Sequence, residues 1–277
     1  MSLQARTLTK IEVAREVLEE YHPMTVRQVY YQLVSRQVIP NSQKAYTSMS
    51  RDLTKARQLG IIPWEWIEDR ARLPHEVTMW TDAESFVDDA LEAFHLDVWE
   101  SQPTYVEVWC EKDALSGIFE GVTRGYGVTL QVCRGYASWS AIYEGHRRFK
   151  NREGVVILYF GDFDPSGQDI PRSLMDNLNF FETWPQVEMI ALTLQDIITH
   201  DLPSNFTKSS DNRSAKFIEQ NGDCAVELDA LPVQVLQQRI RESIEAYMDL
   251  EALARVRVIE DDIRNKLREE VGKGSIM

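Results

Sequence analysis

Residues 105–192 alternate between two hydrophobic periodicities, and this alternation constrains the chain more than any other feature. Tyr105–Cys110, 128–133, Val155–Phe160 and 187–192 read as strands, while 113–122 and 138–149 between them read as helices. Strands separated by helices pair through crossovers, so a parallel, doubly wound α/β sheet is expected. Val155–Phe160 is apolar at almost every position, as a strand covered on both faces must be.

That frame places the acids. Glu111 follows the first strand directly, and Asp162 and Asp164 follow the third in the loop GDFDPSG. In doubly wound sheets the first and third strands are often neighbours, and ligands bind in the crevice outside their carboxyl ends. Three carboxylates converging there repel one another unless a cation sits among them. Mg²⁺ suits an oxygen-only set, and no His or Cys accompanies the acids to favour zinc or iron. An Asp-rich turn by itself is commonly just a turn; its distance from Glu111 across a βαβαβ unit is what makes it a candidate metal site. Gly135 and Gly167 are expected to allow tight turns nearby, and Ser166 with Asp169 resembles a capping box for the next helix. Lys208, Asp211 and Arg213 fall in a polar loop.

Upstream, three helices are expected. The first covers 8–21, with Ile11, Ala14, Leu18 and Tyr21 on one face. The second opens at Thr25, which forms a capping box with Gln28, while Met24 and Val29 are placed as its hydrophobic staple. The third covers 44–59, with Tyr46, Met49, Leu53 and Ala56 inward, and ends at Gly60. The following IIPWEWIEDRAR, 61–72, reads as an extended hairpin. Three helices and such a wing make a winged helix-turn-helix, whose third helix enters the major groove.

In the second helix Val26, Val29, Tyr30, Leu33 and Val34 form the inward stripe. Tyr31 lies off that stripe and shares a face with Arg27, so Tyr30 is expected in the core and Tyr31 outside it. An Arg at that spacing can hold a phosphate and stabilise a phenolate nucleophile; a surface Tyr stacked on an Arg is the alternative. On the third helix Arg51, Thr54, Lys55 and Gln58 share one side, which suits phosphate contacts or a merely solvated basic face. An acidic amphipathic helix within 73–103 is expected to pack between two domains, 1–77 and 78–277. Charged amphipathic helices follow from about residue 232.

Net charge is −14, which opposes nucleic-acid binding until its distribution is considered. Residues 1–72 carry 11 Lys and Arg against 8 Asp and Glu, a net of +3, and the remainder carries 19 against 36, a net of −17. The first part can approach phosphates; the second repels them unless cations neutralise it. Three cysteines far apart predict reduced thiols and a cytoplasmic location, and no apolar run is long enough to cross a membrane.

CEKDALSGIF followed by GDFDPSGQDI resembles the Toprim domain of topoisomerases, primases and related nucleases. TVRQVYYQL, 25–33, resembles the active-site helix of topoisomerase VI A subunits and the related meiotic double-strand-break transesterases, and VELDAL, 226–231, is similar to a later segment of that family. The resemblance implies a winged helix followed by Toprim, with Tyr31 as nucleophile, Arg27 on the phosphate and Mg²⁺ on Glu111, Asp162 and Asp164. It also implies double-stranded DNA as substrate, a covalent 5′-phosphotyrosyl intermediate and a homodimer in which each Tyr31 meets the other chain's acids. It admits a separate GHKL-type ATPase subunit as partner. Two other readings stay open: a Toprim nuclease in which bound water attacks without a covalent adduct, and a winged-helix DNA-binding protein without catalysis.

Overall fold

The structure, a computed structural model, describes residues 5–68, 77–205, 207 and 213–273. The N-terminal part comprises α1 (Ala5–Tyr21), a two-residue strand β1 (Met24–Thr25), α2 (Val26–Ser35) and α3 (Gln43–Gln58). α2 starts where the sequence predicts. Thr25 Oγ1 accepts the Gln28 N–H at 3.3 Å, and the Gln28 side chain accepts the Thr25 N–H at 2.5 Å. This reciprocal pair satisfies two donors that a helix start leaves open. α3 is capped by Ser42 and followed by Gly60 at φ +71°, the left-handed conformation that ends a helix at low cost in glycine.

Of the expected wing, residues 64–66 make a 3-10 turn and β2 (Ile67–Glu68) pairs parallel to β1. Arg57 dictates this path. Its guanidinium donates to the carbonyls of Trp64 and Ile67 and lies 4.3 Å from the Trp64 ring centre. Residues 69–72 of the expected hairpin lie outside the described residues.

The acidic helix is present as α4 (Ala83–Glu92), but it does not pack between two domains. It lies on the C-terminal helix α11 (Leu250–Lys273), whose Arg264 donates to the carbonyls of Leu91 and Phe94. Buried Glu260 of α11 accepts the Leu96 N–H at 2.8 Å and pairs with Arg264. A buried carboxylate recruits the donors within reach, and here those come from the end of the connector.

The parallel sheet comprises β3 (Tyr105–Cys110), β4 (Thr129–Val132), β5 (Val155–Phe160) and β6 (Gln186–Ala191), in the order β4-β3-β5-β6. β3 and β5 are neighbours in register from Tyr105–Val155 to Cys110–Phe160, as expected. Helices cover both faces. From α5 (Ser116–Tyr126), Phe119 meets Phe160 edge-on at 5.0 Å; from α6 (Trp139–Phe149), Arg148 reaches Glu107 on the opposite face. α7 (Ile170–Asn179), α8 (Leu194–Thr199) and α9 (Ser214–Asn221) follow, then α10 (Val233–Glu245), which packs on α5. One hydrophobic cluster runs from α1 through α2 into the sheet, so the N-terminal helices and the sheet share a core. Among the described residues no helix is long and apolar enough to cross a membrane.

Glu107 sits in the middle of β3, fully buried, and accepts from Tyr105 Oη, Trp109 Nε1 and both edges of the Arg148 guanidinium, at 2.5 and 2.9 Å. Removing the cation strands a buried charge. Arg148→Met should therefore cost about 3 kcal/mol, at the lower end for such pairs because Arg148 keeps part of its surface in water. Urea unfolding monitored by tryptophan fluorescence measures this.

Candidate active site

The three sequence-predicted acids gather at the carboxyl end of β3 and β5. Glu111 Oε2 accepts the Asp162 N–H at 3.0 Å and lies 3.4 Å from the Tyr159 hydroxyl. Asp164 Oδ1 accepts the Gly167 N–H at 2.7 Å. The loop is folded so tightly that a Cβ on Gly167 would stand 2.1 Å from the Asp162 carbonyl oxygen, which explains glycine there. Ser166 and Asp169 do not form the expected capping box. Asp169 turns instead toward Arg172, Arg213 and Tyr136, because three donors outcompete a single backbone N–H. Lys208 and Asp211 lie outside the described residues.

The loop is stapled to VELDAL. Phe163 and Val226 exchange backbone hydrogen bonds of 2.9 and 3.0 Å in an antiparallel bridge. The bridge places the next residues opposite Asp162, and the Leu228 N–H donates to Asp162 Oδ1 at 2.8 Å. By sequence Glu227 reads as a surface strand acid, with indirect support of the metal site as the alternative; the bridge makes it half-buried instead. Its carboxylate takes Lys112 Nζ at 2.9 Å and Arg27 at 3.3 Å. Lys112 also pairs with Asp162 Oδ2 at 2.9 Å and with fully buried Asp229 at 3.3 Å.

Through Glu227 the network reaches α2. Tyr31 was expected to project outward, and it does not: it is only 6% exposed, packed where α2 meets the 3-10 turn at 228–230, with its hydroxyl facing Glu227. Nearly the whole length of α2 is buried, because VELDAL covers the side its apolar stripe leaves open. Tyr30 is in the core as expected, its hydroxyl holding Asn41 and Ser42 at the start of α3. Arg27 stays half exposed on the rim of a groove of about 330 Å³ that also contains Tyr31, Asn41, Ser42 and Asn205. Arg51, Thr54 and Gln58 are exposed and Lys55 half-buried on α3. At a helical rise of about 1.5 Å per residue they begin about 14 Å along the helix from Ser42, so they do not join this groove.

The electrostatics follow from burial. Burial, opposed by Lys112 and reinforced by Glu111, pushes the Asp162 carboxyl up to about 7. Burial, with Asp164 adding to it, raises Glu111. Burial pushes Glu227 up as well, but Lys112 and Arg27 outweigh it and hold that carboxyl below its ordinary value. Burial and then Glu227 raise the Tyr31 phenol, with Arg27 opposing. The fully buried or nearly buried acids Glu107, Asp162, Asp196, Asp229 and Glu260 each pair with an Arg or Lys. Glu111 has no such partner among the described residues; its second oxygen, and that of Asp164, take no hydrogen bond there.

Among the described residues no three or more His, Cys, Asp or Glu side chains are arranged to hold a metal ion. The reason is local: Asp162 directs both oxygens away from Glu111, one to Leu228 N and one to Lys112. Glu111, Asp162 and Asp164 are therefore brought together, but only Glu111 and Asp164 present unengaged oxygens. The sequence reading missed Lys112 and Asp229. The available signal was a Lys directly after Glu111 and two acids inside the otherwise apolar VELDAL. Comparison of the chain with models of known protein families and with curated proteins finds no match to either.

An acid whose folded pKa is raised loses stability on ionising. For Asp162 the penalty begins as pH passes the unfolded value near 4 and is complete above about 7. In EDTA, stability should fall across that window relative to Asp162→Asn, with a slope approaching about 1.4 kcal/mol per pH unit. Denaturant titrations of both proteins at several pH values check the sign.

Proposed function

We propose that the chain is a metal-dependent DNA transesterase of the winged-helix and Toprim type, acting through Tyr31. The observation that carries this is the continuity of one polar network from the Arg27–Tyr31 face of α2, through Glu227 and Lys112, to Asp162 and Glu111. Two segments distant in sequence, α2 and the acid-bearing strand ends, are joined by this chain of ion pairs.

The donor set suits Mg²⁺: among the described residues one oxygen each of Glu111 and Asp164 is unengaged, and neither acid has a protein cation at ion-pair distance. Asp162 stands beside this pair, its amide on Glu111 and its carboxylate on Lys112 and the Leu228 N–H, and would have to turn one oxygen to ligate the ion as the resemblance implies. Bound there, Mg²⁺ would supply positive charge at the leaving oxygen. The groove beside Tyr31 receives the backbone phosphate, with Arg27 on a non-bridging oxygen. A Tyr31 Oη–phosphorus bond forms as the bond from phosphorus to O3′ breaks. The phenol gives up its proton and the 3′ oxygen leaves as a hydroxyl, so the step is proton-neutral. Arg51, Thr54, Lys55 and Gln58 serve as phosphate contacts further along the duplex.

Tyr31 cannot act while it faces Glu227 and Asp229, since carboxylates disfavour the phenolate. This supports a homodimer in which α2 leaves its own Glu227 and serves the partner's acids. GHKL-type ATPase coupling remains part of the same reading and rests on the resemblance alone. The burial of Tyr31 also favours a second reading, a Toprim nuclease that uses metal-bound water.

Denaturing gels of labelled supercoiled DNA, quenched with SDS after incubation with Mg²⁺, separate the two. Protein-linked ends that vanish in both Tyr31→Phe and Asp162→Ala are expected. Free 5′-phosphate ends that persist in Tyr31→Phe identify the nuclease.

The dimer is tested by mixing Tyr31→Phe with Glu111→Ala. If each tyrosine serves the other chain, one site in the heterodimer carries both lesions and the other carries none. The mixture should nick one strand, although each variant alone is inert. A demonstrated heterodimer that leaves DNA intact excludes the shared site.

A further inference from the structure

We propose that Lys112 is the protein's own cation in a second cation seat, formed by Asp162, Glu227 and Asp229, so that a divalent ion is needed only on the Glu111 side. Three carboxylate oxygens from three residues surround Lys112 Nζ at 2.9, 2.9 and 3.3 Å. The Lys112 side chain is 15% exposed and that of Asp229 not at all. Oxygen donors alone, converging on one point in a buried crevice, are what a hard cation requires. Here the point is occupied by nitrogen at ordinary ion-pair distances.

Asp229 makes the seat more than a cluster of acids. Its carboxylate is completely buried, and neither oxygen has a hydrogen-bond partner. A buried carboxylate in that state is costly unless a cation faces it. The only cation found facing it among the described residues at ion-pair distance is Lys112. The lysine backbone is anchored just past the end of β3, where the Glu111 N–H still donates to the Phe160 carbonyl. A chelator removes a metal ion but not this charge. Asp162 belongs to both halves: Oδ2 faces the lysine, while its amide holds Glu111. The fixed charge thus sets the position of a carboxylate beside the divalent ion.

The inference rests on the metal reading of the Glu111 side, and one experiment separates the two. Bound Mn²⁺ is counted by electron paramagnetic resonance in the full-length protein and in Lys112→Met. Removing the ammonium opens the seat, and the carboxylates need to close by about 1 Å to ligate a divalent ion. Lys112→Met should bind one more Mn²⁺ per chain than wild type, and adding Asp229→Asn should cancel the gain. Lys112→Met should also melt below wild type in EDTA and recover more of its melting temperature when Mn²⁺ is added. If it folds only with Mn²⁺, that rescue supports the seat. A Lys112→Met chain that binds no additional ion, or that stays unfolded with Mn²⁺, overturns the proposal. The wild-type count reports separately on Glu111 and Asp164: no ion bound there sinks the metal reading, while a gain in Lys112→Met still upholds the seat.

Discussion

The joint between the N-terminal helices and the sheet depends on the ion pairs of Lys112. The residue leaves the end of β3 and reaches Asp162 of the GDFDPSG loop, Glu227 and Asp229. Glu227 extends the same contact to Arg27 on α2. Lys112 ties three segments distant in sequence and Glu227 adds the fourth, and apolar packing surrounds the tie: the hydrophobic cluster passes from Tyr30 and Tyr31 to Leu228, Ala230 and Leu231 without a break. Burial provides most of the adhesion here, being proportional to apolar area. The ion pairs add direction, since a buried charge tolerates few geometries.

An acidic chain that buries carboxylates has to supply counter-charges, and this one does so repeatedly. Arg148 serves Glu107, Arg239 serves Asp196, and Arg264 serves Glu260. The first two fasten α6 to the sheet and α10 to α8, while the third lies within α11. Glu111 departs from the pattern. It rests on a backbone N–H and a tyrosine hydroxyl, with Asp164 adding repulsion. A perturbed acid of this kind is a functional-site candidate, which is why the proposed metal reading centres on it. The burial of Tyr31 pulls the other way, holding a phenol among carboxylates that oppose its ionisation. Release of α2 from Glu227 is the conformational step that the proposed chemistry requires.

Much of the architecture was legible because it rests on local periodicity. β3 and β5 begin and end where their apolar runs do, and α2 begins at the capping box. The neighbouring of β3 and β5 followed from the alternation of strands and helices, and the gathering of Glu111 with the DFD loop followed from that. The exposure of Tyr31 was misread for an equally physical reason. Helical periodicity identifies the face that packs on nearby helices, but it is silent about a second surface arriving from two hundred residues away. The same blindness turned Glu227 into a surface acid and left Lys112 and Asp229 unnoticed. The turn after α3 was not legible either, because Arg57, a residue of α3, captures two of its carbonyls and no strand pattern records that.

By itself the sequence determined the parallel sheet, the strand ends that carry the acids, the helix bearing Arg27 and Tyr31, and the asymmetry of charge between the two parts. These depend on spacing within short windows, where backbone geometry converts residue number directly into position. Only the tertiary structure decided that VELDAL closes over α2, that Asp162 faces a lysine, and that Glu111 has no ion-pair partner among the described residues. Those outcomes depend on which buried charges meet across long loops, and a charge in a low-dielectric interior is governed by its neighbours in space rather than along the chain.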